Sequence, residues 1–372
     1  MKIAIITPYD ADNMGAMLQT LALKKYLESK GHETVHVRFR SDSEIWKWFS
    51  WNCPGLDINL LKYWARFIKH PIDNIKIFPD YINTIKRYMW IKARKRIFRE
   101  YLDRLPVVEL HNNEKIDLYV LGSDEVWNVS SPLFRNKIFW GEGYTPSVVY
   151  AASMSGAGIE EFKKYSEYIK YFNNFDYITV RDQNTQNVLQ TFTGLCAEKV
   201  VDPTLLVTKG IASSEEEKKD WLLLYGYPSE WKKCSEYIKR FAREQKLKIV
   251  SLWFYLEFAD KNILCAPEQF QYYLSISRYV VTNTFHGSIF SVLGGTQFVT
   301  YSPKSKAAEL LGDLKQESRI IYEPDSYSDF AETLSTKCDY EETRLIIRTK
   351  QKESQNILDR MLRKYEKEYN YK

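Results

Sequence analysis

At 372 residues, with 44% hydrophobic and 27% charged side chains and a formal net charge of +5, the chain is long enough for two ordinary domains and too balanced for a disordered protein. Its longest apolar runs, such as Tyr279 to Thr282 and Ile289 to Leu293, fall well short of the roughly 20 residues that span a bilayer, and so mild a charge does not predict nucleic-acid binding. The start MKIAIITPYD has no long apolar h-region, and the five scattered cysteines (Cys53, Cys196, Cys234, Cys265 and Cys338) form no CxxC pair, which predicts a cytoplasmic protein with reduced, mostly packed thiols.

In chain order, Lys2 to Thr7 is a β-branched run, Gly15 to Lys30 has helical periodicity with Asn13 as cap and Gly31 just past its end, and Thr34 to Phe39 is strand-like again: a βαβ unit. Residues 41–105 interrupt the rhythm with Trp46, Trp48, Trp51, Tyr63 and Trp64 and the basic run KRYMWIKARKRIFREYLDRL, and are predicted as a mainly helical insertion. Apolar runs Leu118 to Leu121, Val148 to Ala152 and Tyr177 to Val180 then read as buried parallel strands, the last followed by a helix capped by Asp182. After Asp202-Pro203 the charged segment SSEEEKKD marks a boundary near residue 210. Alternation restarts with strands at Trp221 to Tyr225, Lys248 to Phe254, Tyr279 to Thr282, Phe298 to Tyr301 and Arg319 to Tyr322, separated by helices to about Arg243 and near Glu268 to Ser275, and a long helix from Glu341 closes the chain. The predicted fold is α/β and GT-B-like: two Rossmann-like domains with parallel sheets, 1–210 and 211–340, facing across a cleft, with helix 341–372 packing across both.

In parallel sheets ligands bind beyond the carboxyl ends of the strands, where helix N-termini offer free N–H groups. That rule selects Pro8 to Gly15, Gly122 to Trp127, Ser153 to Gly156, Arg181 with Asp182, and Asn283 to Ser288. In the last of these, His286 is expected to face a ligand, Gly287 to permit close backbone approach and Ser288 to offer a donor to an anion; the alternative is a histidine that only caps its helix. Arg181 suits carboxylate or phosphate recognition, or else a salt bridge to Asp182 or another acid. Asp124 is a candidate base or a cap. Asp10-Ala11-Asp12 is read as a solvated turn, His32, His36, His70 and His111 as surface residues, and no metal site is predicted. Neither GxGxxG after the first strand nor a Walker loop is present.

Six segments, DADNMGAMLQTLALKKYL, LYVLGSDEVWN, YAASMSG, ITVRDQNTQNVL, VVDPTLLV and VVTNTFHGSIFSVLGGTQFV, resemble in order and spacing the motifs of the polysaccharide pyruvyl transferase family, over nearly the whole chain. The resemblance implies a GT-B-like transferase that moves an enolpyruvyl unit from phosphoenolpyruvate to sugar hydroxyls, as a cyclic ketal, with phosphoenolpyruvate as substrate and no cofactor. On that footing His286 and Asp124 are the expected catalytic residues. Arg181, Asn283, Gly287 and Ser288 are the expected donor-binding set, and Asn13, Gly15, Ser123, Trp127 and Ser153 the acceptor-binding set. Some family members carry a basic residue two positions before the motif histidine, where this chain has Thr284, so Lys304 and Lys306 are added to the donor set; a solvated basic loop is the other reading. The acceptor is expected on the 1–210 side, as a surface-polysaccharide precursor, free or lipid-diphosphate-linked. The insertion either docks on an anionic membrane through its tryptophans and the run from Lys86 to Arg99, or packs onto the first domain. A nucleotide-sugar glycosyltransferase and a non-catalytic assembly subunit are the rival readings.

Overall fold

The computed structural model describes residues 1–52, 78–110, 114–212, 218–323 and 326–370. Among them, one sheet orders seven parallel strands: β3 (Val107–Val108), β2 (Glu33–Val37), β1 (Lys2–Ile6), β4 (Leu118–Leu121), β5 (Ser147–Ala152), β6 (Tyr177–Val180) and β7 (Glu198–Lys199). A second orders six: β10 (Lys261–Ile263), β9 (Lys248–Leu252), β8 (Lys219–Tyr225), β11 (Ser277–Thr282), β12 (Gln297–Tyr301) and β13 (Ile320–Ile321). Each order grows outward from its first strand and then reverses, as in Rossmann folds, and the pair of units makes the GT-B-like arrangement. The sequence reading misses β3, β7 and β10 because two or three residues carry no period.

Strand alternation decides what each face buries. Ile3 and Ile5 of β1 pack under α1 (Met14–Ser29) and Ala4 and Ile6 under the aromatic cluster of Trp127, Trp140, Phe162 and Phe172. In the second sheet Leu222 and Leu224 face Ile238 and Phe241 of α7 (Ser235–Glu244), and Leu223 faces the side of α9 (Phe285–Leu293). Between these, α4 (Ile159–Lys164), α5 (Gln183–Thr193), α6 (Pro203–Leu206) and α8 (Phe270–Ser275) fill the connections, and α10 (Ser305–Asp313) and α11 (Tyr327–Ser335) follow α9. The last helix, α12 (Glu341–Asn370), buries Ile347 with the second sheet and Leu358, Met361, Leu362 and Tyr365 with the first.

The insertion is helical where described, as α2 (Asp42–Asn52) and α3 (Phe78–Leu102). Phe49, Phe98 and Tyr101 share one buried cluster with residues of the second sheet. Trp46 packs on Phe49 and Phe98, with the cations of Lys95 and Arg99 over its ring at 4.6 and 4.9 Å. Trp90 donates to the Trp253 carbonyl at 3.2 Å, and Arg104 pairs with Glu268 at 2.8 Å. Trp46, Lys95 and Arg94 are thus engaged by other residues of the protein, the first two half-buried and the last buried; the Trp51 side chain and Trp64 lie outside the described residues.

Two histidines read as surface residues are buried. His36 sits in β2 beside the Tyr9 ring, 5.4 Å away, with neither ring nitrogen hydrogen-bonded, and burial pushes its pKa down to about 3. His32 lies beneath α12, 3.4 Å from Glu366. Their single-residue setting in a valine- and threonine-rich run gave no polar face to place them on. His70 and His111 lie outside the described residues.

Candidate functional site

Strand order reverses between β1 and β4 in one sheet and between β8 and β11 in the other, so the loops after these four strands meet. Between them runs a cleft of about 1140 Å³ whose lining includes Asp12, Asn13, Asp124, Glu125, Tyr227 and Lys304, with α3 contributing Arg87, Trp90 and Arg94.

Asp124 follows β4 with φ 82, in the left-handed region that Asp and Asn tolerate better than most residues. Its Oδ1 lies 3.4 Å from Arg181 Nη2. The neighbouring Glu125 pairs with Lys306 across the seam. Burial would raise the Glu125 pKa, but the Lys306 ammonium, with Arg181 and Lys304 behind it, brings it down to about 2. Asn13 caps α1 by accepting from the Gly15 N–H at 2.8 Å, and its amide donates to the Tyr227 hydroxyl at 3.2 Å.

Behind the cleft floor lies a charged core. Arg181 is 3% exposed, and its Nη1 donates to Asp202 Oδ2 at 2.7 Å while its guanidinium covers the Phe285 ring at 4.6 Å. The salt-bridge reading thus applies, to Asp202 and Asp124; Asp182 caps α5 instead, accepting from the Thr185 N–H. Asp202 Oδ1 caps α6 through the Thr204 N–H at 3.0 Å, and Oδ2 lies 3.7 Å from His286 Nε2. Burial opposes ionisation of Asp202, yet His286 and Arg181 hold its carboxyl well below the usual range. The His286 ring is itself buried at the seam against α1. A Cβ on Gly15 would stand 2.1 Å from His286 Nδ1, so glycine is required there for packing, and the imidazole is not among the groups that line the cleft. The helix cap is Thr284, whose Oγ1 accepts from the Gly287 N–H at 2.9 Å.

Several expected site residues turn inward. Ser288 Oγ donates to the Thr284 carbonyl and shares a hydrogen bond with Thr300 in the sheet. Gly287 is close-packed on Thr282, where a Cβ would stand 2.0 Å from Oγ1, so the backbone it lets approach is its own strand. Asn283 accepts from the Tyr227 N–H at 3.1 Å and holds that loop. On the other side Ser123 donates to the Ala151 carbonyl, Ser153 accepts from the Ser155 N–H, and Trp127 donates from Nε1 to the Phe139 carbonyl at 2.9 Å, all three fully buried. Polar groups at the mouth of a sheet must be satisfied before they serve a ligand, and these are satisfied by their own backbone. Asp10 and Asp12 are not a solvated turn: both are buried, Asp10 against Arg40 at 2.7 Å and Asp12 against Arg94 at 3.0 Å. Arg94 in turn lies over the Trp253 and Phe254 rings at 5.2 and 4.9 Å, which explains why an acidic loop, an insertion helix and the second sheet meet there. Lys304 is exposed in the cleft, whereas Lys306 borders a separate cavity of about 120 Å³ with Arg181, Lys199 and Asp202. Among the described residues, no three His, Cys, Asp or Glu side chains gather to hold a metal ion.

Sequence reasoning gave Asp202 and Tyr227 no role at the site and placed Arg94 only in the basic run of the insertion. Asp202 was visible as an acid before Pro203, a helix-start signature, but served only as a boundary mark and as part of the motif VVDPTLLV, with no role of its own. Tyr227 follows β8 as Pro8 follows β1, so the same strand-end rule reaches it. Nothing local marks Arg94 among the basic residues around it.

The chain is similar to solved GT-B enzymes along its whole length. Neisseria meningitidis UDP-GlcNAc 2-epimerase bound to UDP-GlcNAc superposes with TM-score 0.49 at 9% identity, covering 98% of this chain and 100% of that one. The S. aureus MnaA–UDP co-structure gives 0.46 at 11%, covering 93% and 90%, and Acinetobacter baumannii MurG 0.45 at 9%, covering 97% and 99%. A search of curated proteins found no match to the chain. The profile of the polysaccharide pyruvyl transferase family matches residues 13–305, from the cap of α1 to the start of α10, and the chain belongs to that family.

Proposed function

We propose that this transferase moves an enolpyruvyl unit from phosphoenolpyruvate to two hydroxyls of a sugar in a surface-polysaccharide precursor, on the cytoplasmic side of the membrane, releasing phosphate and leaving a pyruvate ketal. One observation carries the reading. The carboxylate of Asp124 shares a cleft with Lys304 and Arg87 beside the N-terminus of α1, a setting for a small, doubly anionic donor beside a group that can take a proton.

In this reading Asp124 takes the proton of the first sugar hydroxyl as its oxygen bonds to C2, and that proton is returned to the methylene carbon, which becomes a methyl group. The C2–O bond to phosphate then breaks with its electron pair on oxygen. The second hydroxyl bonds to C2, and its proton leaves with the phosphate. Arg181 and His286 act through Asp202 as positioning residues: they fix the guanidinium that in turn fixes Asp124. Lys304 and Arg87 are the cations proposed for the donor, in place of Ser288, Gly287 and Asn283. The sugar lies toward α3 and Trp90. A lipid-diphosphate carrier would approach over the outward basic face of α3 (Lys86, Lys92, Arg96 and Arg99), which salt-sensitive flotation with anionic vesicles tests. Among the described residues no helix is long and apolar enough to cross a membrane.

The decisive assay supplies phosphoenolpyruvate and a panel of oligosaccharides, free and lipid-linked. Phosphate release that depends on the acceptor, with a ketal found on the sugar by mass spectrometry, is expected. Consumption of a nucleotide sugar instead, with phosphoenolpyruvate untouched, would overturn the proposal.

A further inference from the structure

Tyr227 opens the loop after β8, at the strand-order reversal of the second sheet, and its placement is controlled from three sides. Its N–H donates to Asn283 Oδ1 at 3.1 Å. The preceding Gly226 admits no side chain, since a Cβ there would stand 2.1 Å from Asn283 Oδ1 and 2.9 Å from Trp231. Its ring leans on Phe254 with centroids 5.7 Å apart. Held in this way, the side chain crosses the cleft, and its hydroxyl accepts the Asn13 amide at 3.2 Å, from the cap of α1 in the other unit. Because Asn13 occupies an acceptor position on the phenol, the O–H itself is left to point at whatever fills the cleft. The residue is 44% exposed, with its ring edge open to the cleft. Desolvation by the surrounding protein and then the carboxylates of Glu125 and Asp124 raise its pKa, so the phenol keeps its proton in the working pH range.

A neutral O–H on a rigid loop beside Asp124 has one chemical use that the Asp124 carboxylate cannot supply, which is donation to negative charge as it develops. We infer that Tyr227 donates a hydrogen bond to the bridging oxygen of the phosphate as the C2–O bond breaks. This inference rests on the pyruvyl-transfer reading. The electron pair of the breaking bond goes to that oxygen, the hydrogen bond shortens, and the phenol retains its proton; the proton the departing phosphate carries comes from the second sugar hydroxyl, so the balance above is unchanged. The role also gives the motif residue Asn283 a purpose, since it fixes the Tyr227 backbone and does not itself meet the donor.

The test is steady-state phosphate release by Tyr227→Phe, with wild type measured first. Loss of one donor to a developing oxyanion costs on the order of 100-fold in kcat, so a fall of that size is expected, with KM for phosphoenolpyruvate within about threefold of wild type. Unchanged kcat, or a loss confined to KM, would overturn the inference. A wild-type enzyme that releases no phosphate from phosphoenolpyruvate with any acceptor overturns the pyruvyl-transfer reading, and this inference with it. If Tyr227→Phe also lowers the melting temperature, Asn13→Ser decides: serine still caps α1 but cannot reach the phenol, and kcat should fall several-fold. Wild-type kcat in Asn13→Ser would then count against the role.

Discussion

The two places where strand order reverses, one in each sheet, are built from similar residues and used differently. At the first, the loops after β1 and β4 send Asn13, Asp124 and Glu125 into the cleft or across it. At the second, the loop after β11 spends nearly every polar group on itself: Thr284 caps α9, Ser288 bonds to Thr284 and Thr300, and Asn283 holds the Tyr227 backbone. His286 turns back toward Asp202. The difference teaches that a polar run at a strand end is as often a scaffold as a site, and that the scaffold can serve the other sheet. In the second unit, Tyr227 and Lys304 are what that scaffold presents.

The sharpest way to break this contrast is Asp124→Asn, which tolerates the same positive φ and removes the proton acceptor together with the charge facing Arg181. Loss of a general base predicts a fall of about 10²- to 10⁴-fold in phosphate release, with a smaller loss of stability than Asp202→Asn gives, since Asp202 still pairs with Arg181. Near-normal turnover would move the chemistry to the second loop.

Asp202→Asn addresses the scaffold. Removing the charge that a buried Arg181 shares with His286 is expected to destabilise the protein by about 3–5 kcal/mol, read from denaturant unfolding. A variant as stable as wild type but inactive would mean that the cluster is part of the reacting site.

The smallest expected effect at neutral pH, and the one that tests the seam, concerns Glu125 and Lys306. The Glu125 pKa lies at about 2 in the folded protein against 4.5 for the free side chain. The stabilisation is therefore complete above about pH 4.5 and is lost as pH falls from there toward 2, where the folded protein must take up the proton the unfolded chain already holds. Unfolding measured from pH 6 down to 3 should show a shallower decline for Glu125→Gln than for wild type. Equal slopes would mean that the cross-seam pair contributes no linkage.

How much of this was legible depended on whether a residue's neighbours lie in its own segment. Strands β4 and β6 were read to the residue, since buried β-branched runs declare themselves, and Asn13 and Asp182 were read as caps because capping is a local transaction. The direction of Ser123, Ser153 and Ser288 was not legible, because each is settled by a carbonyl or hydroxyl that arrives from elsewhere in the fold. Gly15 is the clearest case: placed in the acceptor set, it is glycine because a histidine some 270 residues later needs the space. Arg94 reads from the sequence as one cation of a basic run that meets a membrane or packs on the first domain, and a buried carboxylate and two rings from distant segments claim it.

The closing helix carries a consequence for synthesis. Ile3 and Ile5 of the first strand are covered in part by Leu358, Met361 and Leu362 of α12, residues that follow them by some 350 positions. A chain emerging from the ribosome therefore carries an apolar sheet face that stays uncovered until α12 has followed it out. The early half is not a finished module handed on to the later half, and its bare face is open to wrong partners until the helix arrives.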